Sequence, residues 1–119
     1  MSVNKSYYVI AGYDLTDIKT YRYEDWKWTD EGETFLCNQV DGNVQLFDDP
    51  MSDGYLYLGK ILASGDEYNF TTAKFGVADI QSAFGDVARA LDKLMDIGVI
   101  NKYPENFPIF EVIVFEECS

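Results

Sequence analysis

The chain has 119 residues, a length that fits one domain, and its 47% hydrophobic content sets it apart from disordered polymers despite its charge. Its 21 Asp and Glu against 9 Lys and Arg leave a formal net charge of −12, which disfavours binding to bare nucleic acid and to anionic membrane surfaces. Histidine is absent, which removes the commonest neutral-pH base, the Ser-His and Cys-His nucleophile systems and the commonest zinc ligand.

The first residues, MSVNKSYYVIAGYD, hold one Lys and an apolar run that Asp14 ends, too brief for a signal-peptide core or a membrane span. Cys37 and Cys118 are far apart and neither belongs to a C-x-x-C pair, so a cytoplasmic protein with reduced thiols is expected. Within that first stretch, Tyr7 to Tyr13 reads as a central strand buried on both faces.

Residues 14–33 carry charges and aromatics without clear periodicity. They read as a long ordered loop, or as a half-buried strand if the i,i+2 spacing of Tyr21 with Tyr23 and of Trp26 with Trp28 is strand alternation. Thr34 to Val40 and Asn43 to Phe47 flank Asp41-Gly42, a dipeptide suited to a tight hairpin turn. The turn cluster 48–54 then leads into Tyr55 to Ala63, a further strand in which Gly59 marks a bulge or a close backbone approach, so that three consecutive strands form a meander.

Over residues 78–97, Ile80, Phe84, Val87, Leu91 and Leu94 recur at helical spacing. Gly98 is placed to end that helix in the left-handed conformation, with Val99 and Ile100 folding back on it. The closing run, Ile109 to Phe115, reads as a second central strand in the same sheet. The expected architecture is α+β in a single domain, 1–119. It comprises an antiparallel or mixed sheet of about five strands, β-β-β-β-α-β along the chain, covered on one face by one long helix.

The patterns that carry catalysis fail at named positions. In a calcium loop begun at Asp49, with Gly54 as its sixth residue, the third and twelfth places fall on Met51 and Lys60, which cannot supply the required oxygens. The glycines form no phosphate-binding pattern, and Cys37 reads as a small buried hydrophobe in a strand. No catalytic, cofactor-binding or metal-ligating residue is assigned. Carboxylate mechanisms are the enzymatic readings left, an acid–base pair for glycoside cleavage or an Asp/Glu cluster holding a hard cation, and the metal-assisted form is the weakest of the three hypotheses weighed.

A protein interface has better support. The segment YRYEDWKWTDEGE combines Tyr21, Trp26 and Trp28 with Glu24, Asp25, Asp30, Glu31 and Glu33, and Asp48, Asp49 and Asp53 add charge nearby. Tyr and Trp anchor interfaces, and a carboxylate rim meets Arg and Lys through charge-assisted hydrogen bonds. The same aromatics also suit the closed end of a core whose charges form its wet side. The helix offers a further acidic surface at Asp79, Asp86, Asp92 and Asp96.

With its pI near 4, its missing histidine and segments such as YEDWKWTDEGE and LFDDPMSDGY, the chain resembles phage-encoded inhibitors of bacterial defence, the anti-restriction and anti-CRISPR proteins. Members of that group share neither one fold nor one motif, and some imitate the charge of nucleic acid. The resemblance implies a non-catalytic inhibitor whose partner is a protein with a basic surface, such as a nucleic-acid-binding defence protein, with neither nucleic acid nor membrane bound directly. The alternative from the residues alone is a structural or regulatory module that buries its aromatics in a homo-oligomer.

Overall fold

The computed structural model describes residues 5–37, 43–49, 54–66 and 74–118. In chain order the elements are β1 (Lys5–Asp14), α1 (Tyr23–Trp26), α2 (Asp30–Cys37), β2 (Val44–Asp48), β3 (Leu56–Asp66), α3 (Val77–Ile97) and β4 (Glu111–Cys118). The strands form one antiparallel sheet in the order β2-β3-β1-β4, and the fold is α+β as the sequence pattern predicts.

β1 is central, paired to β3 on one side and β4 on the other, and Val9, Ile10, Ala11 and Tyr13 are all buried. The last apolar run is a strand too, but its expected central position is corrected: among the described residues β4 pairs with β1 alone and forms an edge of the sheet. An apolar run records burial or pairing potential, and nothing local in it names the neighbours.

The strand expected over 34–40 is corrected over 34–37, which belong to the helix α2, while 38–40 lie outside the described residues; in place of the three-strand meander the described residues form a β2–β3 hairpin. Thr29 caps this helix by accepting a hydrogen bond from the Gly32 amide at 3.2 Å, and Asp30, Glu31 and Glu33 place negative charge in its first turn. Those two features favour helix over strand for a short apolar pair such as Phe35 and Leu36. Four strands are therefore formed among the described residues, where about five were expected. Asp41 and Gly42 lie outside the described residues.

α3 begins one residue before its expected start. Its amide end is closed by Asp79, whose carboxylate accepts the Gly76 N–H at 2.8 Å. It ends as predicted: Gly98 has φ 92°, its N–H donates to the Met95 carbonyl at 3.1 Å, and Val99 N–H returns to Leu94 at 3.3 Å. Val99 and Ile100 are buried, and Thr20 N–H donates to Val99 while Asn101 N–H donates to Ile18, which fastens this return to the segment before α1.

The helix's buried stripe is rotated from expectation. Ala83, Val87, Ala90, Leu91 and Leu94 face the sheet, whereas Phe84 is half exposed on the flank, because the small alanines let the helix approach the strands. The core between helices and sheet joins Val87, Ala90, Leu91 and Leu94 to Tyr13, Leu15, Val44, Leu46, Leu56 and Leu58. At Gly85 an added Cβ would meet nothing closer than Arg89 at 3.8 Å. Gly85→Ala is expected to stabilise the protein by about 0.5–1 kcal/mol, read as a higher urea midpoint at unchanged slope.

The sheet's other face carries a second apolar group that draws on every strand: Tyr8, Phe47, Tyr55, Tyr57 and Phe115. Tyr8 lies 5.0 Å from Phe47 and 5.3 Å from Phe115, and Tyr57 lies 5.0 Å from Phe115, centroid to centroid. Yet Tyr8 pairs with Ser64, while Phe47 shares its register with Tyr57 opposite Asp14, six residues away along β1. Six strand residues span about 20 Å, so the sheet curls toward this face. The curl is centred where Gly12 faces Gly59, with a bulge in β3 between the partners of Val9 and Ile10.

Candidate docking surface

The acidic-aromatic segment folds as two short helices, neither a loop nor a strand. In α1, Tyr23 and Trp26 stand three residues apart and share the inward side, where their rings lie 6.0 Å from each other and Trp26 lies 5.5 Å from Phe35. Tyr21 and Trp28, just outside α1, are 85% and 83% exposed. The i,i+2 alternation in the sequence is thus the inside and outside of one helical turn with its flanks. Trp26 is 8% exposed, so its assignment as a partner anchor is corrected: it belongs to the core.

Gly32 lets α2 sit directly on the end of α1, since a Cβ there would lie 2.2 Å from the Trp26 carbonyl. This tight joint brings Glu24, Asp25, Asp30, Glu31 and Glu33, all exposed, onto one knuckle with Tyr21 and Trp28. Within it, Lys27 donates to Glu24 at 2.9 Å and lies 5.5 Å from the Trp28 ring. Arg22 lies against Tyr21 at 5.8 Å.

Asp48 has a different part from the one expected. Its carboxylate accepts the Tyr23 hydroxyl at 2.8 Å and faces Lys27 at 3.6 Å, with 15% of its side chain exposed, so it ties β2 to α1 instead of facing a partner. Asp49 is half-buried at the end of β2, and Asp53 lies outside the described residues. The knuckle continues across a cleft of about 680 Å³ between α2 and the last turns of α3, where Glu31 and Thr34 face Arg89, Asp92, Lys93 and Asp96.

Cations share this surface: Lys19 and Lys27 lie 5.7 and 5.8 Å from the Tyr23 ring, and Arg89 and Lys93 line the cleft. Among the described residues, carboxylates hold Lys5 (Glu116), Lys27 (Glu24 and Asp48), Lys60 and Arg89 (both Asp86) and Lys102 (Asp96). The hydrogen bond from Lys60, with Arg89 adding to it, holds the Asp86 carboxyl below its ordinary pKa. Asp86 is therefore tied to Lys60 and Arg89, and of the acidic surface expected along α3 the exposed members are Asp79, Asp92 and Asp96, the last beside Lys102.

The sequence reading missed the acid around the aromatic face. Burial, then the fields of Glu117 and Asp49, push the Tyr55 hydroxyl above its ordinary pKa, and burial, then Asp14, does the same to Tyr57. Glu117 is itself raised, by burial and by Asp49. A raised carboxyl binds its proton more tightly in the folded state, so this site loses stability as pH climbs from the ordinary carboxylate value through the raised one. Glu117→Gln is expected to raise the melting temperature at pH 7 and to lose that gain near pH 4, checked by paired melts.

A second acidic recess, of about 500 Å³, opens where β1 ends and β4 begins. Asp14, Asp17, Glu105 and Glu111 line it beside Phe107 and Ile109, and no Lys or Arg does. Among the described residues, no three His, Cys, Asp or Glu converge in a way that would hold a metal ion. No helix among them is long and apolar enough to cross a membrane. No protein-family model, curated protein or solved structure matches the chain.

Proposed function

We propose that this protein is a non-catalytic acidic binding protein that acts in the cytoplasm, docking the α1–α2 knuckle on the basic surface of another protein and occluding it. The observation that carries this reading is the pairing of two almost fully exposed large aromatics, Tyr21 and Trp28, with five exposed carboxylates on one rigid joint. Exposed aromatics are costly in water and serve as anchors when a partner buries them. Arg22 and Lys27 each lie beside one of these rings, and the exposed remainder of each ring can receive a partner's Arg or Lys whose charge the neighbouring carboxylates meet.

The partner in best accord with this surface is a nucleic-acid-binding protein, because a groove that neutralises phosphates presents clustered Lys and Arg. A bacterial defence protein blocked by a phage inhibitor is one such case. The experiment is capture from bacterial lysate on the immobilised full chain, beside a Tyr21→Ala/Trp28→Ala double variant. Both side chains lie outside the core, so the variant should melt within about 1 kcal/mol of the parent. The expected result is a basic protein retained by the parent and lost by the variant; retention of the same proteins by both would contradict the assignment.

A further inference from the structure

Besides Tyr21 and Trp28 on the knuckle, a group of exposed apolar side chains lies along one edge of the sheet. α3 packs over β1, β2 and β3, and Val112 and Val114 of β4, opposite Ala11 and Val9 on the same face, remain 38% and 69% exposed. Ile109 just upstream is exposed as well, and half-exposed Phe84 on the flank of α3 reaches toward the strip, its ring 5.1 Å from Phe110.

β4 pairs with β1 in unbroken register from Glu111 to Cys118, and among the described residues no strand lies on its outer side. Sheet edges are ordinarily guarded by charged side chains, Lys above all, or by Pro, a bulge or shortness. The eight residues of β4, EVIVFEEC, include neither Lys nor Pro, and the register shows no bulge. The charges present are all glutamates. Glu111 and Glu117 alternate with Val112 and Val114 and so point to the opposite face, and Glu111 also lines the recess with Asp14, Asp17 and Glu105.

We propose that the β4 edge is a strand-addition site for an extended basic segment of another protein. Its β-branched residues lie on Val112, Val114 and Phe84, and its alternate Lys or Arg face Glu111, Glu117 and the recess. Charge selects this occupant over a second copy of the chain. Two copies joined at β4 would set six glutamates into one two-stranded ribbon between bodies that each carry −12. α2 packs beside β2, at the opposite edge of the sheet, so this site is separate from the knuckle and either can fail alone.

The test is titration of the full chain with an eight-residue peptide of alternating valine and lysine, followed by calorimetry and by amide exchange. The expected result is saturable binding with a Kd below about 1 mM and new protection at β4 amides. Val114→Lys, at an exposed position that leaves the melt unchanged, should weaken it at least about tenfold, while Trp28→Ala leaves it unaltered. The alternating valine–glutamate peptide should not bind. Three results would each overturn the proposal: no binding of the lysine peptide, equal binding of a lysine peptide N-methylated at alternate residues, or sedimentation showing that the chain alone dimerises through β4.

Discussion

Gly12→Ala is expected to cost about 4 kcal/mol or more of folding stability, a large share of the roughly 5–15 kcal/mol that holds a domain of this size together. A Cβ at position 12 would lie 1.9 Å from the Leu58 carbonyl oxygen, 2.6 Å from Gly59 Cα and 2.8 Å from the Leu58 carbonyl carbon. All three obstacles are backbone, so no side-chain rotation relieves them, and β1 must part from β3 at the point where the sheet curls. Loss of the curl would also separate Tyr8 from Phe47, rings that touch only because of it. Gly59→Ala is the internal control. Its Cβ would lie 2.8 Å from the Ile10 Cδ1 and 3.0 Å from the Ala11 carbonyl oxygen, looser approaches than the 1.9 Å at position 12, so a smaller loss is expected. Urea denaturation of both variants checks the order, and a Gly12→Ala protein within 1 kcal/mol of the parent would contradict the close approach.

Reversing Asp25, Glu31 and Glu33 to lysine together is expected to weaken capture of the basic partner about a hundredfold or more at low salt. A unit-charge pair at 4 Å is worth about 1 kcal/mol in water, and reversal replaces attraction with repulsion of similar size. Three sites, discounted for screening, give roughly 3 kcal/mol, or more than a hundredfold. The fold pays little. Among the described residues no side-chain ion pair ties any of the three to the core, and the charge in the first turn of α2 is worth about 0.3–1 kcal/mol per residue. The neutral set Asp25→Asn, Glu31→Gln and Glu33→Gln should lose about half as much affinity in logarithmic terms. Equal loss from both sets would point to shape instead of charge.

β1 and α3 were legible in the sequence because each states its period unambiguously, one as a continuous β-branched and aromatic run, the other as five apolar residues at helical spacing. Gly98 was legible for the same local reason. α2 was missed although its signal was present: Thr29 followed by Asp30 and Glu31 is a helix start, and it carries more information than the short apolar pair that suggested a strand. The edge position of β4 and the curl at Gly12 were not legible, because both depend on which strands meet, across 47 residues in the case of Gly12 and Gly59.

The candidate surface divides along the same line. Glu24, Asp25, Asp30, Glu31 and Glu33 were placed correctly outside, since carboxylates rarely enter a core without a partner. Asp48 found such a partner in Tyr23, 25 residues away, and was drawn inward. Trp26 and Trp28 are alike in the sequence, and only the sense of a single helical turn decides that the first closes the core while the second faces water.

The most direct test of the central claim, that an acidic, aromatic-anchored surface occludes a basic partner, is the affinity of the captured complex measured across a tenfold range of salt. The account predicts a steep fall in affinity as salt rises, shallower for the charge-reversed variant. A complex equally tight at tenfold higher salt would contradict it.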